Sequence, residues 1–127
     1  MHTTTVLAIS DHIKLHADTP FEWGVFDCCV FTSHIVKIQT DIDLYADYVG
    51  KYNSEQSAVE IQKQVGTIES QLDKHFERVD PMHARRGDIH MLADGVMALQ
   101  FSGHRWATTT TGVKPSRVES KLCWRIK

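Results

Sequence analysis

Residues 20–28 have the sequence PFEWGVFDC and lead directly into an apolar stretch from Val30 to Ile38. Asp27 is a favourable N-cap residue, so this pattern predicts a helix over Cys28–Gln39. The helix is apolar on most of its faces, which predicts that it is buried. Cys28 then lies in the first turn, where free N–H groups and the helix dipole favour a thiolate over a thiol. Cys28 is therefore a candidate nucleophile, and the alternative is a small buried core residue.

The composition excludes several classes of protein. A length of 127 residues predicts one domain, residues 1–127, that can bury a core of its own. The formal net charge of -2 disfavours a general nucleic-acid binder or a protein that binds anionic membranes. No apolar run approaches the roughly 20 residues that span a bilayer, and no signal-peptide pattern is present. We therefore expect neither nucleic-acid binding nor membrane insertion.

The cysteine pattern disfavours both a disulfide framework and a metal centre. The chain has three cysteines, and two of them, Cys28 and Cys29, are adjacent. We expect Cys29 to point about 100° away from Cys28 around the helix and into the core. No Cys-x-x-Cys spacing and no glycine-rich phosphate loop occurs, so we expect no metal site and no cofactor.

The spacing of apolar residues changes from a helical to an extended period along the chain. Helices are predicted over Val6–Ala17, Cys28–Gln39, Ser54–Val65 and Ile68–Phe76. Strands are predicted over Asp88–Leu92, Val96–Ser102, Trp106–Thr111 and Lys121–Ile126, with Asp94-Gly95 as a two-residue hairpin turn. Helices followed by an antiparallel meander define an α+β protein.

Several short motifs of this chain resemble those of the NlpC-type cell-wall peptidases, which belong to the papain-like cysteine peptidase superfamily. The segment Phe21–Cys28 at the start of a helix is similar to the family's nucleophile segment. Arg86–Ile89 looks like its Gly-Asp strand start, and the strand ending at Ser102-Gly103 looks like the one that carries its histidine. The ending Cys123–Ile126 is similar to that of a small branch found in tailed phages and prophages.

The resemblance implies a papain-like core in which the Cys28 helix packs on the C-terminal antiparallel sheet. It implies that Cys28 attacks a peptide carbonyl, that a histidine on the facing strand takes the proton, and that the substrate is a peptidoglycan stem peptide. Asp27 caps the helix and fixes the backbone of the cysteine in this interpretation. Trp23 and Phe21 are core aromatics or, with Asp27, walls of the substrate groove.

The expected histidine position is occupied by a different residue in this chain. Alignment on the glycine at the end of the strand places Met97 there. A two-residue turn at Asp94-Gly95 would pair His90 with Leu99 and place His90 and Met97 on one face of the sheet. His90 is therefore the candidate base, although a slip of one residue in this register would turn it away. A half-buried histidine with an ordinary hydrogen bond is the alternative.

Three functions are compatible with these features. The first is a phage tail-associated cysteine peptidase that hydrolyses peptidoglycan stem peptides. The second is an inactive structural component of the tail tip or hub, which the methionine at position 97 favours. The third is an intracellular amide hydrolase or acyl transferase. The first two imply phage tail proteins as partners and a location in the virion, or in the host cytoplasm before assembly.

Overall fold

Four α-helices precede a six-stranded antiparallel sheet in the computed structural model, which describes residues 1–127. The helices are α1 (Thr3–Leu15), α2 (Cys28–Thr40), α3 (Glu55–Val65) and α4 (Ile68–His75), and a 3-10 turn spans Pro81–His83. The strands are β1 (Glu77–Val79), β2 (Ile89–Leu92), β3 (Met97–Phe101), β4 (His104–Thr109), β5 (Gly112–Ser116) and β6 (Ser120–Arg125). The predicted α+β class is confirmed.

The order of the strands in the sheet is β1-β6-β2-β3-β4-β5. The last strand is therefore inserted between β1 and β2, instead of continuing a simple meander. The sequence pattern did not predict the two edge strands. β1 has only three residues, and β5 contains Pro115, which an edge strand tolerates and a central strand does not. None of the helices is long and apolar enough to cross a bilayer.

Helix α2 packs on one face of the sheet and forms the main core with it. Phe31 and Ile35 of α2 are fully buried, as are Leu99 of β3 and Trp124 of β6. The apolar positions of α2 recur with helical spacing, and those of β3 alternate, so both elements bury one continuous apolar face. This packing fixes the start of α2, and with it Cys28, against the sheet.

The turn between β2 and β3 has three residues, not two, and this changes the predicted register. The N–H of Leu92 donates to the Val96 carbonyl at 2.8 Å, and Gly95 adopts a φ of 86° inside the loop. Such a loop adds one residue to the turn through a glycine in the left-handed region. His90 therefore pairs with Ala98, and the predicted pairing with Leu99 is wrong.

Three histidines lie together where α1 meets α2. The ring centroid of His12 lies 4.8 Å from that of His16 and 4.8 Å from that of His34, and its ring stacks on Phe31. Burial, together with repulsion from His34 and His16, lowers the pKa of His12 to about 4. Its Nε2 atom is buried without a hydrogen-bond partner. The contact between the two helices therefore depends on a neutral imidazole.

Acidification from pH 6.5 to pH 4 should lower the free energy of unfolding. The pKa of His12 is about 4 in the folded chain and about 6.5 in the unfolded chain, so the unfolded chain binds the extra proton. This contribution is complete above pH 6.5 and is lost as the pH falls towards 4. Urea titrations at several pH values in this range give the free energy of unfolding at each pH. Its dependence on pH should be weaker in His12→Gln than in the unaltered protein, by up to about 1.4 kcal/mol per pH unit. The exposed His75→Gln is the control, and equal slopes in both variants would contradict the assignment.

Candidate active site

The segment before α2 forms a tight loop that is closed by its own backbone. The N–H of Phe26 donates to the Glu22 carbonyl at 2.8 Å, and the N–H of Glu22 donates to the Phe26 carbonyl at 2.9 Å. Gly24 at the tip has a φ of 77°, and a Cβ atom there would lie 2.2 Å from the backbone oxygen of Tyr52. A glycine is required because the loop turns through the left-handed region while in close contact with a second segment.

Asp27 connects this loop to the helix and is almost completely buried. One carboxylate oxygen accepts from the N–H of Val30 at 2.9 Å, which confirms the predicted N-cap. The other oxygen accepts from the N–H of Gly24 at 3.0 Å and from the hydroxyl of Tyr52 at 2.5 Å. Three donors therefore satisfy the buried carboxylate. Its role in this geometry is to hold the loop, the helix start and the tyrosine segment together.

A short chain of tyrosine hydroxyls extends from this carboxylate. Tyr45 donates to the hydroxyl of Tyr52 at 2.8 Å, and Tyr52 donates to Asp27. Burial, with the hydrogen bond to Asp27, raises the pKa of Tyr52. Tyr52 consequently remains protonated and acts as a fixed donor, not as a proton acceptor.

Cys28 is the first residue of α2, and the pKa of its thiol lies below the usual value. A hydrogen bond from the Cys29 thiol and another from the backbone N–H of Met97 lower the pKa of Cys28, against the opposing effects of burial and of the Asp27 carboxylate. The start of β3 therefore lies against the sulfur. The backbone N–H groups of Cys28 and Cys29 donate to no other residue, as expected for the first turn of a helix. The N–H of Cys28 itself also helps to lower the pKa of the Cys28 thiol, so only the N–H of Cys29 is left without a partner.

Cys29 packs against the main core, as predicted, and it also lines the same pocket as Cys28. Both cysteines are half-buried. The hydrogen bond to Cys28, followed by burial, raises the pKa of Cys29 well above its usual value. The ideal 100° rotation between neighbouring helical residues separates the Cβ directions, but it does not prevent two flexible thiols from meeting at a helix start. The two neighbouring thiols therefore differ in acidity, with the pKa of Cys28 lowered and that of Cys29 raised.

A pocket of about 40 Å³ adjoins the two cysteines. Its walls are mostly apolar and are formed by Trp23, Asp27, Cys28, Cys29, Tyr48, Tyr52, Ala58, Ile61, Gln62 and Ile68. Two of the three predicted groove residues, Trp23 and Asp27, therefore line this pocket. Phe21 does not line it and instead contacts Trp23 edge to face, with ring centroids 4.9 Å apart. The predicted role of these residues in binding a substrate stays a prediction.

His90 lies on the face of the sheet opposite to α2. His90 pairs with Ala98 of β3, and paired residues point to the same face of the sheet. The residues on either side of Ala98, Met97 and Leu99, point to the other face and enter the main core with α2. The imidazole lies within hydrogen-bond distance of the Ser120 hydroxyl at 2.6 Å and of Gln100 Oε1 at 2.9 Å. Burial lowers the pKa of His90. The structure thus does not bring His90 to Cys28, because the three-residue turn shifts the register by one.

No histidine is among the groups that shift the pKa of Cys28 or line its pocket. The cluster of His12, His16 and His34 is a feature that the sequence interpretation missed. The four-residue spacing of His12 and His16 on α1 was the available signal, because such a pair shares one helical face. No group of three or more His, Cys, Asp or Glu side chains has the geometry of a metal site.

Comparison with known proteins places the chain in a family but does not provide a function. Residues 4–126 match the family described as a domain of unknown function, DUF6950, and the chain belongs to that family. No curated protein and no solved structure matches the chain. The chemistry of the site must therefore be argued from its geometry.

Gly24→Ala should destabilise the protein far more than Gly50→Ala. Both glycines have a φ near 70–80°, but only Gly24 would bring a Cβ atom against backbone, and the space around Gly50 is open. We expect a loss of about 1 kcal/mol for Gly50→Ala and about 3 kcal/mol or more for Gly24→Ala. Chemical denaturation measures both values. Equal losses of unfolding free energy in the two variants would show that the close approach to the Tyr52 backbone does not restrict the residue at position 24.

Cys28 should react with iodoacetamide before the other two thiols. Hydrogen bonding lowers the pKa of Cys28, whereas the pKa of Cys29 is raised and burial raises that of Cys123 to about 12. Peptide mapping after timed alkylation between pH 6 and 9 gives the three rates. Cys29→Ala should raise the pKa of Cys28 and slow its alkylation up to about tenfold near pH 7.

Cys29→Ser is the matched control for this experiment, because its hydroxyl retains a donor to the Cys28 sulfur. It should keep Cys28 more reactive than Cys29→Ala does. Equal, slow alkylation of all three thiols in the unaltered protein would contradict the proposed stabilisation of the thiolate.

Proposed function

We propose that the protein is a phage tail-associated member of the NlpC-type, papain-like lineage that has kept the fold and the cysteine but does not hydrolyse peptides. In this interpretation it serves as a structural component of the tail tip or hub. The observation that carries the proposal is the residue opposite Cys28. The strand that lies against the sulfur contributes Met97, whose side chain has no basic atom.

The placement of Cys28 supports the lineage. It is the first residue of a buried helix that packs on a late antiparallel sheet, and Asp27 caps that helix. The strand whose first residue aligns with the family's histidine is also the strand that contacts the sulfur. These are the relationships that the motif resemblance implies, and they occur in the expected chain order.

The absence of a base near Cys28 supports the loss of peptide hydrolysis. Amide cleavage requires a proton for the leaving amine and then a base to activate water. Met97 can supply neither, and both ring nitrogens of His90 are within hydrogen-bond distance of groups on the other face of the sheet. The pKa of Cys29 is raised by its hydrogen bond to Cys28, and that of Tyr52 by burial, so both groups are weak acids.

One observation favours a second candidate, a hydrolase of peptidoglycan stem peptides. The pKa of Cys28 is lowered by hydrogen bonds from Cys29 and the Met97 backbone, and a thiolate is the reactive form of a cysteine nucleophile. A purely structural residue has no need of such stabilisation. This candidate requires a proton acceptor from a partner protein or from the substrate itself.

Purified protein incubated with peptidoglycan should release no more stem peptide than Cys28→Ala does, because the leaving amine receives no proton. Mass spectrometry of the soluble products measures the release. In a phage that lacks this chain, complementation with Cys28→Ala should restore infective particles as well as the unaltered chain does. Peptide release that disappears in Cys28→Ala, or failure of that variant to complement, would favour the hydrolase instead.

A further inference from the structure

A basic cleft lies at the opposite end of α2 from Cys28, and the proposed function does not use it. The cleft has a volume of about 430 Å³ and is bordered by the start of α1, the end of α2, the segment before β2 and the end of β6. Its arginine and lysine side chains are Arg85, Arg86, Arg125 and Lys127. We propose that this cleft binds a small molecule that carries a diphosphate group.

The side chains of the protein do not neutralise the positive charge of this cleft. Asp88 is the only acidic side chain in its lining, and it is buried in an ion pair with Arg125, whose Nε atom lies 3.0 Å from Oδ2. Arg85, Arg86 and Lys127 take part in none of the ion pairs of the structure. Three cationic side chains therefore share one cleft without a carboxylate side chain as partner, in a chain whose formal net charge is -2.

The buried carboxylate of Asp88 also holds two walls of the cleft together. It accepts hydrogen bonds from the backbone N–H groups of Arg85 at 2.8 Å and Ile126 at 3.3 Å, and from Arg125 Nε at 3.0 Å. Arg125 donates in addition through Nη2 to the carbonyl of His83 at 3.0 Å. The segment before β2 and the end of β6 are therefore fixed relative to each other before any ligand binds, which reduces the ordering cost of binding.

The end of α2 and the start of α1 add polar groups to the cleft. Gln39 is held near the end of α2 by a hydrogen bond from its Nε2 atom to the Gly87 carbonyl at 2.8 Å. Thr5 lines the cleft from the first turn of α1, and the N-cap residue His2 makes no side-chain hydrogen bond to that turn. The positive end of the α1 dipole therefore adds to the field of the arginines, although it contributes less than a full charge.

The size and the charge of the cleft indicate the class of ligand. Its volume lies within the range of about 300–1,000 Å³ that is usual for small-molecule sites. Apart from Met1 and Ile126 the lining is polar, so charge and hydrogen bonding supply the recognition. Guanidinium groups bind phosphate oxygens through paired N–H donors. A diphosphate presents two anionic groups to the separate cations of the cleft, whereas a carboxylate or a single phosphate engages fewer of them.

Isothermal titration calorimetry with sodium pyrophosphate, at about 0.1 M ionic strength, tests the proposal. Arg85→Gln combined with Arg86→Gln should weaken binding at least about tenfold, because each substitution removes a donor of charge-assisted hydrogen bonds. The control removes the same charge at two exposed residues outside the cleft, by combining Arg117→Gln with Lys121→Gln. It should weaken binding less than about twofold, because salt screens distant charges. Circular dichroism confirms that both double variants are folded.

Titrations with other anions decide the ligand class. Inorganic phosphate should bind at least about fivefold more weakly than pyrophosphate, and equal affinity would overturn the diphosphate assignment. Tighter binding of ADP than of pyrophosphate would support a diphosphate that is part of a nucleotide, and equal or weaker binding of ADP would support the free anion.

Two further results would overturn the site. One is the lack of saturable pyrophosphate binding, or equal weakening by the two double variants. The other is a DNA duplex that displaces pyrophosphate and binds more tightly, which would replace the small molecule with a nucleic acid. Cys28→Ala should bind pyrophosphate as the unaltered protein does, so the cleft and the proposed function are tested separately.

Discussion

The buried carboxylate of Asp27 is the constraint on which the arrangement around Cys28 depends. It accepts hydrogen bonds from the preceding loop at Gly24, from the helix at Val30 and from Tyr52 in a distant segment. A buried carboxylate is tolerated only when its oxygens are satisfied, so the three segments must come together for any one of them to be stable. The start of α2 is thus fixed from three sides, and the position of the sulfur follows.

The Asp27 carboxylate, which holds the segments around Cys28 together, also disfavours ionisation of the Cys28 thiol. Asp27 is negative and adjoins Cys28, and its charge raises the pKa of that thiol. Hydrogen bonding from the Cys29 thiol and from backbone N–H groups lowers the pKa of Cys28 against burial and against this charge, and no cation contributes to the shift. No basic side chain is among the groups that shift the pKa of this thiol, so none is placed to take its proton.

Much of this arrangement was predictable from the sequence, because short-range rules determine it. The helix start at Cys28, the cap at Asp27 and the helix that begins after Ser54 follow from local residue types and apolar spacing. The orientation of His90 does not, because it depends on whether the loop at Asp94-Gly95 holds two or three residues. Side chains along a strand alternate between the two faces of the sheet, so a register shifted by one residue moves a side chain to the other face.

The same distinction explains what the resemblance could and could not supply. Motifs around the cysteine predicted which helix packs on the sheet, since that packing depends on many apolar contacts that tolerate substitution. The histidine that the resemblance implies depends instead on one side chain at one position, and Met97 occupies that position in this chain. A single side chain can therefore differ from a motif while the packing around it is kept.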